Sequence, residues 1–150
     1  VAPVENVPDP APGAMGAIRA QLVRDLYKKQ WSSVKNSSDT KLNAAFQLTI
    51  WEITHENLTA ASAQAALAQL NVTKGALAVN MNNATTAQVA AMAMQMIASL
   101  GQGGFAGFGN LLGLTDPTAQ DQLIVVPVPF TVGLAAAGLA GVIGLRRRLR

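Results

Sequence analysis

His55 is the sole histidine of the chain, and it stands between two carboxylates, Glu52 and Glu56. On a helix, the Glu52-x-x-His55 spacing puts a carboxylate and an imidazole on one face, the arrangement of carboxylate metal sites. Such a site takes a second set of the same kind from a facing helix, and the chain has none. His55 is therefore expected to be a surface residue, with no metal and no cofactor. Cysteine is absent, which removes thiolate ligands, disulfides and a cysteine nucleophile. With one histidine and no accompanying Ser/His/Asp arrangement, catalysis of the conventional kind has no residues to run on, and the chain is expected not to be an enzyme. Gly101, Gly103 and Ala106 imitate part of a dinucleotide fingerprint, but no strand precedes them and no helix with an acidic partner follows; a mobile glycine-rich loop is the better expectation. Asn36, Asn57, Asn71 and Asn83 each open an Asn-x-Ser/Thr triplet, which marks surface positions if the host glycosylates them and polar turns otherwise.

Composition bounds the remaining chemistry. Half of the 150 residues are hydrophobic and 13% are charged, against about a quarter charged in an ordinary soluble domain. The formal charge is +3, but four of the eleven basic residues are Arg146, Arg147, Arg148 and Arg150. Without them seven basic residues face eight acidic ones. No basic stripe with interleaved aromatics remains to follow a phosphate backbone, so nucleic acid is excluded as a partner.

Helices must position these side chains. From Ala14 to about Val34, Ile18, Leu22, Leu26 and Tyr27 recur at helical spacing with Arg19, Arg24, Lys28 and Lys29 left for solvent. A second helix over about Lys41–Glu56 starts after Ser38 or Asp39 as its cap, and Phe46, Leu48, Ile50, Trp51 and Ile53 cover enough of its circumference to make it central, with Trp51 in the core. A short alanine-rich helix is expected over Thr59–Leu70, a β-like stretch over Ala76–Val79, and a further helix over Thr85–Leu100 capped by Thr85. The fold class expected is mainly α: a small helical bundle followed by one C-terminal transmembrane helix. The organisation is an extended Pro-rich segment over 1–13, a helical extracytoplasmic domain over 14–115 that is either complete or the C-terminal part of a larger one, a linker over 116–129, and a transmembrane helix with an Arg-rich cytoplasmic end over 130–150.

The tail carries the strongest signal. From Leu123 to Leu145 the chain runs for 23 residues without a charge, and Arg146, Arg147, Arg148 and Arg150 follow. That is a spanning length with a basic stop, and by the positive-inside rule the arginines stay cytoplasmic while the body lies across the membrane. Pro127 and Pro129 place the expected helix start near Phe130. The proline pair, the apolar run rich in small residues and the arginine cluster together resemble the PEP-CTERM sorting tail that exosortases recognise in Gram-negative bacteria. The motif stands here as Val126, Pro127, Val128, Pro129, with Val128 where the family signature has glutamate.

The body adds a second resemblance. AAFQLTIWE (Ala44–Glu52) and TAQDQLIVVPVP (Thr118–Pro129) are similar to a body type that accompanies this tail, in which a Phe-Gln-Leu-Ala-Ile-Trp-Glu helix precedes an alanine-rich helix, a glycine-rich loop and a Gln-Asp-Gln. Thr49 departs from the usual alanine. Gln47 and Trp51 also resemble the Thr-Gln-x-Ala-Ile-Trp block of bacterial surface thioester domains, where the glutamine is joined to an upstream cysteine and a surface amine can open the bond. This chain has no cysteine. Gln47 is therefore expected to hydrogen-bond a neighbouring backbone inside the bundle, or, in the alternative, to be the thioester glutamine of a covalent adhesin whose cysteine lies outside this chain. The resemblances imply an exported, noncatalytic envelope protein with a surface, matrix or adhesive role. The partners implied are the membrane, an exosortase-type processing enzyme and extracellular polysaccharide or surface proteins. The location implied is the inner membrane with an extracytoplasmic body, or the cell surface after processing.

Overall fold

The computed structural model of the chain describes residues 1–7, 13–115 and 121–126. Three long helices form where the apolar periodicity placed them: α1 over Gly16–Val34, α2 over Thr40–His55 and α4 over Ala84–Ser99, with a single-turn helix α3 over Ala63–Ala66. Asp39 starts α2 as expected, its carboxylate accepting from the backbone N–H of Lys41 and Leu42 and so satisfying two of the donors a helix start leaves bare. Helix α4 starts one residue earlier than expected, with Asn83 as the cap accepting from Thr86 N. The expected helix over Thr59–Leu70 shrinks to α3 and a 3₁₀ turn at Leu67–Gln69. Its first residues are held instead in a closed loop, where Thr59 N donates to Gln69 Oε1 and Gln69 Nε2 donates back to Thr59 Oγ1.

Helix α2 packs on both α1 and α4, and the three enclose the core. Leu22, Val23 and Leu26 from α1, Ala45 and Ile53 from α2, and Ala90 and Ala93 from α4 are all buried. Tyr27 gathers the aromatic side of this core, lying edge-on to Phe46 at 5.0 Å and tilted against Trp31 at 5.4 Å and Phe108 at 5.8 Å.

The expected fold class is corrected by a three-stranded antiparallel sheet, order β1-β2-β3, made of Ala2–Pro3, Leu111–Leu114 and Gln122–Val125. No helix among the described residues is long and apolar enough to cross a membrane; residues 130–150, where the transmembrane helix was expected, lie outside the described residues. The sheet also absorbs segments expected to be linkers. Near the start, Ala2 and Pro3 pair with Gly113 and Leu112, Val4 and Val7 are fully buried core residues, and Glu5 Oε1 meets Arg24 Nη1 at 2.6 Å. In the segment expected to be the 116–129 linker, Leu123–Val125 pair with β2, and Val126 N donates to Asn110 O at 2.8 Å. Ala76–Val79 is not a strand; it is part of a loop closed by Val79 N donating to Val72 O.

Directly opposed residues of a ladder share a face, so the register sorts the sheet into two sides. Ala2, Leu111, Gly113, Leu123 and Val125 face the core. Gly113 is required there because a Cβ would run into the Val7 side chain. Pro3, Leu112, Leu114, Ile124 and Val126 lie on the opposite side, together with Gln122.

Candidate functional site

Helix α2 divides its motif between inside and outside. Phe46, Leu48, Thr49, Ile50, Glu52 and Ile53 are buried, whereas Asn43, Ala44, Gln47, Trp51 and His55 are exposed. Gln47 does not bond inside the bundle: its carboxamide stands in solvent with no hydrogen bond to any described residue. Trp51 is not core, being 39% exposed, and it sits one turn from Gln47 and one turn from His55 on the same face. His55 Nδ1 lies 3.1 Å from Trp51 O and 2.8 Å from Thr54 Oγ1, so its bonds are to its own helix. Thr49, the departure from alanine, fits the core because its hydroxyl donates to Ala45 O at 2.8 Å and lies 3.8 Å from Met96 Sδ.

Three carboxylates that face inward were missed as a group by the sequence reading. Asp25 on α1 is fully buried. Its Oδ2 accepts from Lys29 Nζ at 2.9 Å and Gly101 N at 2.8 Å, and its Oδ1 accepts from Ala106 N at 2.9 Å. Lys29 also donates to Ser99 O and Gln102 O. The glycine-rich loop expected to be mobile is thus fastened to α1 through one carboxylate and one ammonium. Glu52, which the spacing placed on one helical face with His55, and Glu56 both bond elsewhere. Glu52 Oε1 accepts from Asn71 N at 2.6 Å, and Glu56 accepts from Asn57 N and Ala76 N, each at 3.0 Å. Arg19 Nη2 donates to Glu56 O at 2.7 Å.

The electrostatics of this cluster are those of burial. Glu52 is fully buried, and its Oε2 has no hydrogen-bond partner among the described residues. Removal from water pushes the Glu52 carboxyl above its ordinary value, the Asn71 N–H pulls partly the other way, and the neighbouring Glu56 charge raises it further. Burial also pushes the Tyr27 phenol up to about 12. Among the described residues no group of three His, Cys, Asp or Glu side chains could hold a metal ion. An open cleft of about 160 Å³ lies between the start of α1 and Leu58–Ala60, with Arg19 on its wall.

What the described surface presents is therefore the solvent face of α2, with an aromatic ring beside a free amide, and the outer face of the sheet leading to Val126, which is 37% exposed. Pro127, Val128, Pro129 and the arginines at 146, 147, 148 and 150 lie outside the described residues. Set against protein-family models, curated proteins and solved structures, the chain matches none.

Proposed function

We propose that this chain is an exported bacterial envelope protein whose stretch from Val126 onward is a PEP-CTERM-like sorting signal, with a noncatalytic body that serves surface, matrix or adhesive contacts. The observation that carries the reading is the order in the sequence: the VPVP motif, an uncharged run to Leu145 and an arginine cluster. The folded body supports it in one respect, because Val126, the first residue of the motif, is exposed directly after β3. On the body, Trp51 and Gln47 offer a flat apolar ring and a hydrogen-bonding amide in one patch, groups suited to extracellular polysaccharide or to a surface protein. The test is the intact mass of the native protein recovered from its host's envelope, with both ends located by peptide mapping. A C-terminus near Pro129 agrees with the proposal. Retention of Arg150 removes exosortase processing.

A second reading is favoured by the free, exposed carboxamide of Gln47: acylation of a cysteine outside this chain, in which the thiol sulfur takes the Gln47 acyl carbon and ammonia leaves. The same mass measurement tests it. A native protein short by one ammonia, which gains methylamine on treatment, supports the thioester. An unaltered mass removes it.

A further inference from the structure

The outer face of the sheet carries an inference beyond sorting. Pro3, Leu112, Leu114, Ile124 and Val126 project from it: Pro3, Leu114 and Val126 are exposed, and Leu112 and Ile124 are half-buried without packing on the core, unlike Ala2, Leu123 and Val125 on the inner side. Leu114 is 43% exposed and Val126 37%. No strand contains a charged residue, and Gln122 is the polar exception on this side. Antiparallel sheets that face water alternate apolar-in with polar-out; here both sides are apolar. Apolar side chains gathered on an exposed face mark an interaction surface rather than ordinary scatter.

The chain itself indicates what covers it. Val126 ends the described sheet on this face, and the uncharged run that started at Leu123 continues from there to Leu145. We propose that the outer face of the sheet rests against the lipid bilayer, with Leu112, Leu114, Ile124 and Val126 in its interfacial zone. The inference rests on the sorting reading, which brings the apolar run to a membrane. A bilayer suits the face because the side chains need no hydrogen-bond partners and the ladder of β2 satisfies its own backbone on both sides.

The absence of cysteine makes the test direct. Leu114→Cys and, separately, Gln47→Cys in the full chain each give one thiol for an environment-sensitive fluorophore; α2, which carries Gln47, packs on α1 and α4. The labelled chains are reconstituted with phosphatidylethanolamine–phosphatidylglycerol vesicles and floated on a density gradient, with and without lipids bearing a quencher near the headgroup. The expected result is flotation of both, with the emission at position 114 moved to the blue and quenched by the modified lipid, and that at position 47 unchanged. Flotation with position 114 still in water overturns the proposal and leaves the sorting reading intact. Failure to float overturns both. Shielding at position 114 without lipid assigns the face to another copy or to the chain itself, and equal shielding at both positions shows no preferred face; either result overturns the proposal.

Discussion

Asp25→Asn isolates the contact that fastens the glycine-rich loop to α1. Three donors converge on the buried carboxylate, two on Oδ2 and one on Oδ1. An amide has an acceptor on one side alone, so whichever way the substituted side chain is turned, its NH₂ group points at a donor. The better orientation keeps Lys29 and Gly101 on the oxygen and loses Ala106; the charge partner of Lys29 is lost in both. Breaking a buried pair by neutralising one member costs about 3–5 kcal/mol. Lys29 keeps 20% of its side-chain surface and two carbonyl acceptors, which places the expected loss near the lower end, about 3 kcal/mol. Against a total stability of about 5–15 kcal/mol, that is a large fraction. Urea unfolding followed by circular dichroism measures it, and native-state hydrogen exchange at the Gly101 and Ala106 amides assigns it to the loop. A variant within about 0.5 kcal/mol of the parent, the range of an inert surface change, with unchanged exchange at those two amides, would refute the account of Asp25 as the clamp.

Glu52→Gln keeps an acceptor for Asn71 N and removes the titration. Because the folded carboxyl sits above its unfolded value, the native state holds a proton that the unfolded chain has released. The stability present below the unfolded value, near 4.5, is lost as pH rises through the folded value. Parent and variant unfolding curves should diverge over that window and run parallel above it; parallel curves throughout would show that the burial does not act on this group. Gly75→Ala should cost about 2–3 kcal/mol: Gly75 has φ +88° and its added Cβ would strike Glu56 Oε2, so left-handed strain of about 1–2 kcal/mol adds to a displaced hydrogen bond of about 1 kcal/mol. Gly16→Ala, at φ +70° with nothing within 4 Å, should cost the strain alone, and equal losses at both would remove Glu56 from the explanation. Phe46→Ala should destabilise by about 3–5 kcal/mol and Trp51→Ala by about 1 kcal/mol, since Phe46 is 5% exposed and Trp51 39%; thermal unfolding of the pair ranks them, and the reverse order would put the face of α2 the wrong way round.

The helices were legible because their signals are local. Asp39 precedes an apolar repeat at helical spacing, and its carboxylate meets two N–H groups within the next three residues. The orientation of α2 was written there too, since Trp51 follows the polar Gln47 by one turn and must share its face; a general preference for buried aromatics overrode that spacing. The inward carboxylates were not legible in the same way. Glu52 and Glu56 take their meaning from the N–H groups of Asn71 and Ala76, about 20 residues downstream in a loop without periodicity, and the sequence pattern offered His55 as a nearer partner. Asp25 depends on amides 76 and 81 residues away. The sheet was hidden for the same reason carried further: β1 is two residues long and includes a proline, and its partners lie near the other end of the described chain.

That separation fixes the timing of folding. Ala2 finds its partner at Gly113, so during synthesis at about 5–20 residues per second the first strand waits roughly 5 to 20 seconds for the second to exist. Until then Val4 and Val7 have no cover from β2, and the core they close stays open. Contacts between distant residues also form late because their loop must be closed first. The sheet is therefore the last part of the described fold to close, and its first pairing is completed only when Gly113 has been made.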